Sequence, residues 1–214
     1  RIGEHLIEIR DERKEAIIYE NVLIEDWSKE IIEEATIDDL DENAIIKARQ
    51  EFIKRNPKYN DDIDSWDNAK FLNKAKLTIK GKITRTCFIL LGKEEEEHFL
   101  DSAVKIRWNL KTVDNQDKDF EIFSIPLILS VDEIFLKIRN LKYRYLREGT
   151  LFPDEVLRYD PFVIREPLNN AIAHQDYNKK SRINVVEFED DHLVFSNYGT
   201  FLPNSAEDAV LKDT

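Results

Sequence analysis

Methionine is absent from this 214-residue chain, and cysteine occurs once, at Cys87. One cysteine excludes a disulfide framework and fits a reducing cytoplasm. The five glycines are scattered. No Gly-x-x-x-x-Gly-Lys-Ser/Thr stretch exists, so helicase-type motor chemistry has no phosphate loop to rest on. No apolar run approaches the ~18 residues of a membrane span, and there is no signal peptide. Cations are also in deficit: 32 Lys and Arg face 44 Asp and Glu, a formal net charge of -12. That balance excludes a chain-wide nucleic-acid or membrane-binding surface and confines any DNA contact to a local basic patch. The missing methionine, initiator included, and the abrupt ends at Arg1-Ile2-Gly3 and Lys212-Asp213-Thr214 lead to the expectation of a fragment, or of a sequence written without its modified methionines.

What is present suits a globular protein of one to two domains, with 42% hydrophobic and 36% charged residues. Arg13 to Ile18 reads as a short charged helix and Glu20 to Ile24 as an extended piece. Ser28 to Ala35 is rich in acidic helix formers. Asp41 to Arg55 is a helix: Ile45, Ala48 and Phe52 recur at helical spacing, Asp41 caps its start and Pro57 follows its end. The acidic linker 60–64 leads to a second helix over Asp67 to Lys76, with Phe71, Leu72 and Ala75 inward. Helix, linker and helix suit a winged-helix-like module and equally a small helical insert. For Ile83 to Leu91, β-branched residues favour a strand and Gly92 favours a helix, so periodicity does not decide. Val104 to Leu110 alternates as a half-buried strand, 113–121 reads as a polar tip, and Pro126 to Leu141 as a helix with Leu127, Ile134, Ile138 and Leu141 on one face. Asp160-Pro161 opens another helix. Ile183 to Phe188 and Leu193 to Ser196 read as strands joined by a hairpin at Asp190-Asp191.

The helix opened by Asp160-Pro161 carries the chemistry. At about 100° per residue, Ile164, Leu168, Ala171 and Ile172 share one side, while Glu166, Asn170 and His174 stack four residues apart on another. Magnesium prefers oxygen ligands and takes one or two protein groups, for which an asparagine carbonyl serves. A glutamate one turn away can polarise a water for attack on a terminal phosphate. Against this stands the reading that any exposed helix face looks this way.

The segments "IREPLNNAIAHQDY" and "RINVVEFEDDHLVFSNYGTFLP" resemble the C-terminal domain of bacterial RecG-helicase-like transcriptional regulators. In that family an AlbA- or Schlafen-type DNA-binding domain precedes an ATP-binding domain related to gyrase, Hsp90, histidine kinases and MutL. "WSKEIIEEATIDDLDENAIIKARQEF", "FLNKAKL", "GKITRT" and "ILLGK" resemble the middle segment of the same proteins, and "LKYRYLREGTLFPDEVLRYDPFVIRE" their lead-in. The resemblance implies that Glu166 orients the attacking water, that Asn170 chelates magnesium, and that Asn169 and His174 join the nucleotide site. Asn197-Tyr198-Gly199 stands where the family's aspartate-x-glycine turn reads the adenine amino group. Asn197 replaces that aspartate, and its amide oxygen still accepts from an amine. Pro167 replaces a usual alanine and, lying inside the helix, removes one backbone hydrogen bond at a cost of about 3 kcal/mol. The glycine-rich phosphate loop is missing, so this chain alone is not expected to hydrolyse ATP.

Elsewhere "KIRNLKYRYLR" interleaves Lys137, Arg139, Lys142, Arg144 and Arg147 with Tyr143 and Tyr145. It suits phosphate neutralisation with base stacking, or else a helix C-terminus followed by an amphipathic strand. His174-x-Asp176 offers too few ligands for a metal and reads as a turn with His174 bonded to Asp176. Cys87, Trp27, Trp66 and Trp108 read as core residues, and 94–97 as a solvated acidic face.

These readings converge on an α+β chain: the tail of an upstream AlbA-like domain or linker over 1–26, a helical region over 27–80, and a truncated ATP-binding-type domain over 81–214 with an antiparallel or mixed sheet. The expected cofactor is ATP with magnesium. The expected partners are DNA, through the upstream domain, and a second copy of the chain, with no membrane. The competing reading is a degenerate fold used as a scaffold for dimerisation or DNA contact.

Overall fold

The computed structural model describes residues 27–100, 104–146, 148–149, 151–189 and 192–199. The readings made for 1–26, for the Asp190-Asp191 turn and for Arg147 lie outside them. The fold is α+β. Helix α1 (Glu42–Arg55) starts where the Asp41 carboxylate accepts the Ala44 N–H at 2.8 Å, and it buries Ala44, Ile45 and Ala48. Helix α2 (Asn68–Lys74) is capped the same way by Asp67 and buries Phe71 and Leu72 completely. The acidic linker between them is ordered from inside. Ile63 and Trp66 are buried, Phe52, Tyr59, Trp66 and Phe71 form a ring cluster, and Arg49 donates to the Ile63 and Trp66 carbonyls.

Residues 28–35 are not helical. A single 3-10 turn at Trp27–Lys29 is followed by an extended edge, with Ile31 bridged to Thr84. A hairpin of β1 (Thr78–Ile79) and β2 (Lys82–Ile83) turns through Lys80 and Gly81, both at positive φ. The undecided stretch after it is helix α3 (Arg85–Leu91), capped by the Thr84 hydroxyl at Cys87 N–H. Gly92 ends it for a different reason from the one the sequence suggested. Its φ is an ordinary -65°, but a Cβ there would collide with Phe88.

Strands β3 (Ile106–Lys111), β4 (Asp117–Phe123), β7 (Ile183–Phe188) and β8 (Leu193–Ser196) form a mixed sheet of order β4-β3-β7-β8, with β3 and β7 parallel. Paired positions share a face, so Ile106 and Trp108 join Ile183 and Val185 in the core. The expected polar tip at 113–121 is mostly strand β4. Six of its seven residues are exposed because it is an edge strand, and Glu121 and Asp119 answer Lys137. That exposure makes it polar enough to read as a loop.

Helix α4 (Leu127–Lys137) and helix α5 (Pro161–Ala173) complete the core, with α4 against α5 and β4 and α5 against β7 and β8. Helix α4 stops four residues before the expected Leu141, which is 49% exposed. Ile138 turns out of the helix yet stays buried, and Arg139 swings to the buried Glu187 carboxylate at 2.9 Å. The chain then runs into a hairpin of β5 (Lys142–Tyr145) and β6 (Asp154–Leu157), closed at its base by two hydrogen bonds between the Asn140 side chain and the Tyr159 backbone. The hydrophobic core is continuous from Ile32 to Val185 and crosses residue 80 without a break. Among the described residues no helix is long and apolar enough to cross a membrane.

Candidate functional site

Helix α5 is set by its ends and by one apolar side. Asp160 caps Phe162 N–H, Pro161 occupies the first turn, and Ile164, Leu168 and Ala171 are buried against the sheet. The helix continues through Pro167 to Ala173. Glu166 and Asn170 are both exposed, and the Asn170 amide donates to the Glu166 carboxylate at 3.4 Å. That bond uses the amide nitrogen, and no described group donates to the Asn170 side-chain oxygen. His174, also exposed, is the C-terminal cap, eight positions beyond Glu166 or about 12 Å along the axis at 1.5 Å per residue.

The end of β8 closes onto this cap. The Asn197 side-chain amide donates to the His174 carbonyl at 3.0 Å, and Asp176 N–H donates to the Tyr198 carbonyl at 2.5 Å. Gly199 packs against the same His174 carbonyl, where a Cβ would not fit, so glycine is required by close approach. Between these contacts sits Gln175, which sequence reasoning passed over. It is 7% exposed; its carbonyl accepts Tyr198 N–H at 2.8 Å and its amide donates to the Ser181 carbonyl at 2.8 Å. Gln175 thus ties the helix end to both strands of the β7–β8 pair. Its only signal was its place between two residues that did attract notice.

The structure therefore sets Glu166, Asn170 and His174 along the exposed side of α5, with the half-buried Asn197 and with Gly199 fastened at its His174 end. Asn169 departs from them. It lies on the adjoining flank of α5 and lines a cavity between the helices. The expected His174–Asp176 bond does not form. The Asp176 carboxylate instead accepts Asn178 N–H at 3.1 Å and lies 3.7 Å from the Lys179 ammonium. No group of three or more His, Cys, Asp or Glu side chains among the described residues is placed to hold a metal.

The basic run is divided among elements. Lys137 belongs to α4 and pairs with Glu121 at 2.7 Å, which with Asp119 holds its ammonium above the usual lysine range. Arg139 goes to Glu187. Lys142 and Arg144 lie on β5 and are exposed, with Glu155 on β6 at 3.9 Å and 2.6 Å. Burial pushes the Cys87 thiol up to about 12 and leaves it an inert core group.

Comparisons with known proteins support the fold and leave function open. A family described as "Domain of unknown function (DUF8451)" matches residues 15–106. No curated protein sequence matches the chain. The chain is similar to the crystal structure of the DIP2311 protein from Corynebacterium diphtheriae, with 18% identity and a TM-score of 0.63. The likeness covers 94% of this chain and 38% of that one.

Proposed function

We propose that this chain acts as a regulatory nucleotide-binding module in a cytoplasmic transcriptional regulator of the RecG-helicase-related type, together with a DNA-binding domain upstream. The observation that carries this reading is the strip on α5. A carboxylate and an amide lie at one end, and the Asn197–Gly199 turn is fastened to the other end. A nucleotide presents its adenine amine and its triphosphate at opposite ends, and the strip offers suitable groups in that order. The Asn197 amide nitrogen is committed to His174, so its carbonyl oxygen is the atom available to an adenine amine.

The donor set also fits magnesium. Asn170 offers a carbonyl oxygen and Glu166 a carboxylate, both exposed and one turn apart. Magnesium held mainly by water and phosphate needs no more from a protein. When bound, the ion neutralises triphosphate charge. The chain's own contribution is to hold Asn170 toward it, place the Glu166 side chain beside it, and orient the base at Asn197. Titration of the full-length protein with a non-hydrolysable ATP analogue and magnesium tests the reading. Binding is expected to fall about tenfold or more in Asn170→Ala, since one well-placed polar contact is worth about 1.4 kcal/mol. No binding, or binding unchanged in Asn170→Ala, overturns it.

One observation favours the second reading, a scaffold for self-association. The β5–β6 hairpin presents Leu141, Tyr143 and Val156 on one face, each about half exposed, beside Tyr145 and Asp154, with Leu151 almost fully exposed near its tip. An isolated two-stranded hairpin is marginal without a covering surface. The cations Lys142 and Arg144 lie on its reverse face about Glu155, so the apolar side chains of the first face fit an apolar surface, such as the same side chains of a second copy. Sedimentation equilibrium should then give a dimer that dissociates in Tyr143→Lys. A monomer at 100 µM would count against self-association, and a salt-dependent DNA complex that ignores ATP and is lost in Arg144→Glu would select the DNA-contact form of the scaffold.

A further inference from the structure

A concavity among the described residues lies beside the strip and takes no part in it. A half-open cavity of about 780 Å³ is bounded by α1, α3, α4 and α5. That volume is in the range of small-molecule sites. Its walls are Trp27, Phe52, Leu90, Ile128 and Ile172, which pack on the core with one side and leave the other uncovered. Trp27 is stacked on Tyr177 at 5.0 Å and so is a rigid wall.

The charged groups at this cavity are mostly cationic. Lys47, Arg55 and Arg165 line it with one carboxylate, Glu51. Glu51 is engaged by Lys54 at 2.6 Å. Lys47 from α1 and Arg165 from α5 converge on a single carboxylate, Asp132 of α4, leaving that trio one positive charge in surplus. The side chains of Arg55 and Asn169 make no hydrogen bond or ion pair with any described residue. A cationic, apolar-walled cavity is out of character for a chain of net charge -12. Free polar groups beside half-covered apolar walls are the ordinary anatomy of a ligand site.

We propose that this cavity binds a small amphipathic anion: an apolar, preferably aromatic body against Trp27, Phe52 and Ile172, with one acidic group directed to Arg55 and Asn169. Arg165 and Asn169 immediately precede Glu166 and Asn170 on α5. Occupancy would therefore be felt by the helix that carries the nucleotide strip, which makes the anion an effector. That coupling rests on the nucleotide reading, whereas the binding itself does not.

The test uses the full chain without nucleotide and two probes of one shape, the anion 1-anilinonaphthalene-8-sulfonate and neutral N-phenyl-1-naphthylamine. Fluorescence titration is expected to show one saturable anion site per chain, with the neutral probe at least tenfold weaker. Arg55→Glu, an exposed change that leaves the core intact, should weaken the anion tenfold or more and leave the neutral probe unchanged. Ala173→Trp, which fills the cavity, should remove both, with an unchanged thermal midpoint as the check on folding. Equal affinity for the two probes, anion binding indifferent to Arg55→Glu, or no saturable binding overturns the proposal. Because nucleotide is absent, failure here is separate from failure of the nucleotide reading.

Discussion

Asp132 is drawn two ways. Burial alone would raise its carboxyl, but hydrogen bonds from Lys47 and Arg165 outweigh that and hold it below the usual carboxylate range. Its folded value thus lies under the ~3.9 of an unfolded aspartate. The native state then binds fewer protons than the unfolded state in that window. The stabilisation is fully present above about pH 4 and is withdrawn as pH falls through the folded value. Both partners are partly solvated, so the contribution is at most about 1 kcal/mol. Asp132→Asn is therefore expected to lower stability slightly at pH 7 and to flatten its decline below pH 4. Urea unfolding at pH 7, 4 and 3 measures both. A variant that loses stability on acidification as steeply as the parent would remove Asp132 from the account. Glu187 shows the same economy in the interior: 4% exposed, it accepts from the Trp108 indole at 3.1 Å and from Arg139, fixing where the chain leaves α4.

At the scale of the element, α5 holds the conflict between local preference and tertiary demand. Pro167 cannot donate to Val163, yet the helix runs unbroken from Pro161 to Ala173. Burial of Ile164, Leu168 and Ala171 outweighs the lost bond, since each large apolar side chain contributes about 1.5–3 kcal/mol. Pro167→Ala should restore the bond and raise stability by about 1–3 kcal/mol. A shift of the urea midpoint upward without a change of slope is the expected result, and a fall would mean that the proline ring is itself a packing element. Helix α3 makes the complementary point. Its β-branched composition left strand and helix balanced, and the Thr84 cap with the buried Cys87, Phe88, Ile89 and Leu91 decided for helix.

For the whole molecule, the continuous core from Ile32 to Val185 predicts one cooperative unfolding transition. Trp66 reports on the helical side and Trp108 on the sheet. In variants retaining only one of these tryptophans, thermal curves should coincide with each other and with far-ultraviolet circular dichroism. Separate midpoints would divide the molecule near residue 80.

The sequence by itself determined what short-range chemistry controls. The caps at Asp41 and Asp160, the apolar stripe of α5, the strands β3, β7 and β8, and the file of Glu166, Asn170 and His174 were all legible. Each depends on a period of 2 or 3.6 residues, or on one side chain reaching a nearby N–H. Only the tertiary structure decided matters that depend on distant partners. The polar stretch 117–123 became a strand because β3 offered it an edge, and α4 ended early because Glu187 took Arg139. Asn169 left the strip for the cavity because the packing of four helices, not its neighbours in sequence, defines that space. The fastening of Asn197 and Gly199 to the end of α5 by way of the buried Gln175 has the same cause. A buried hydrogen bond is fixed by which surfaces meet, and a linear pattern of polarity carries no record of the meeting.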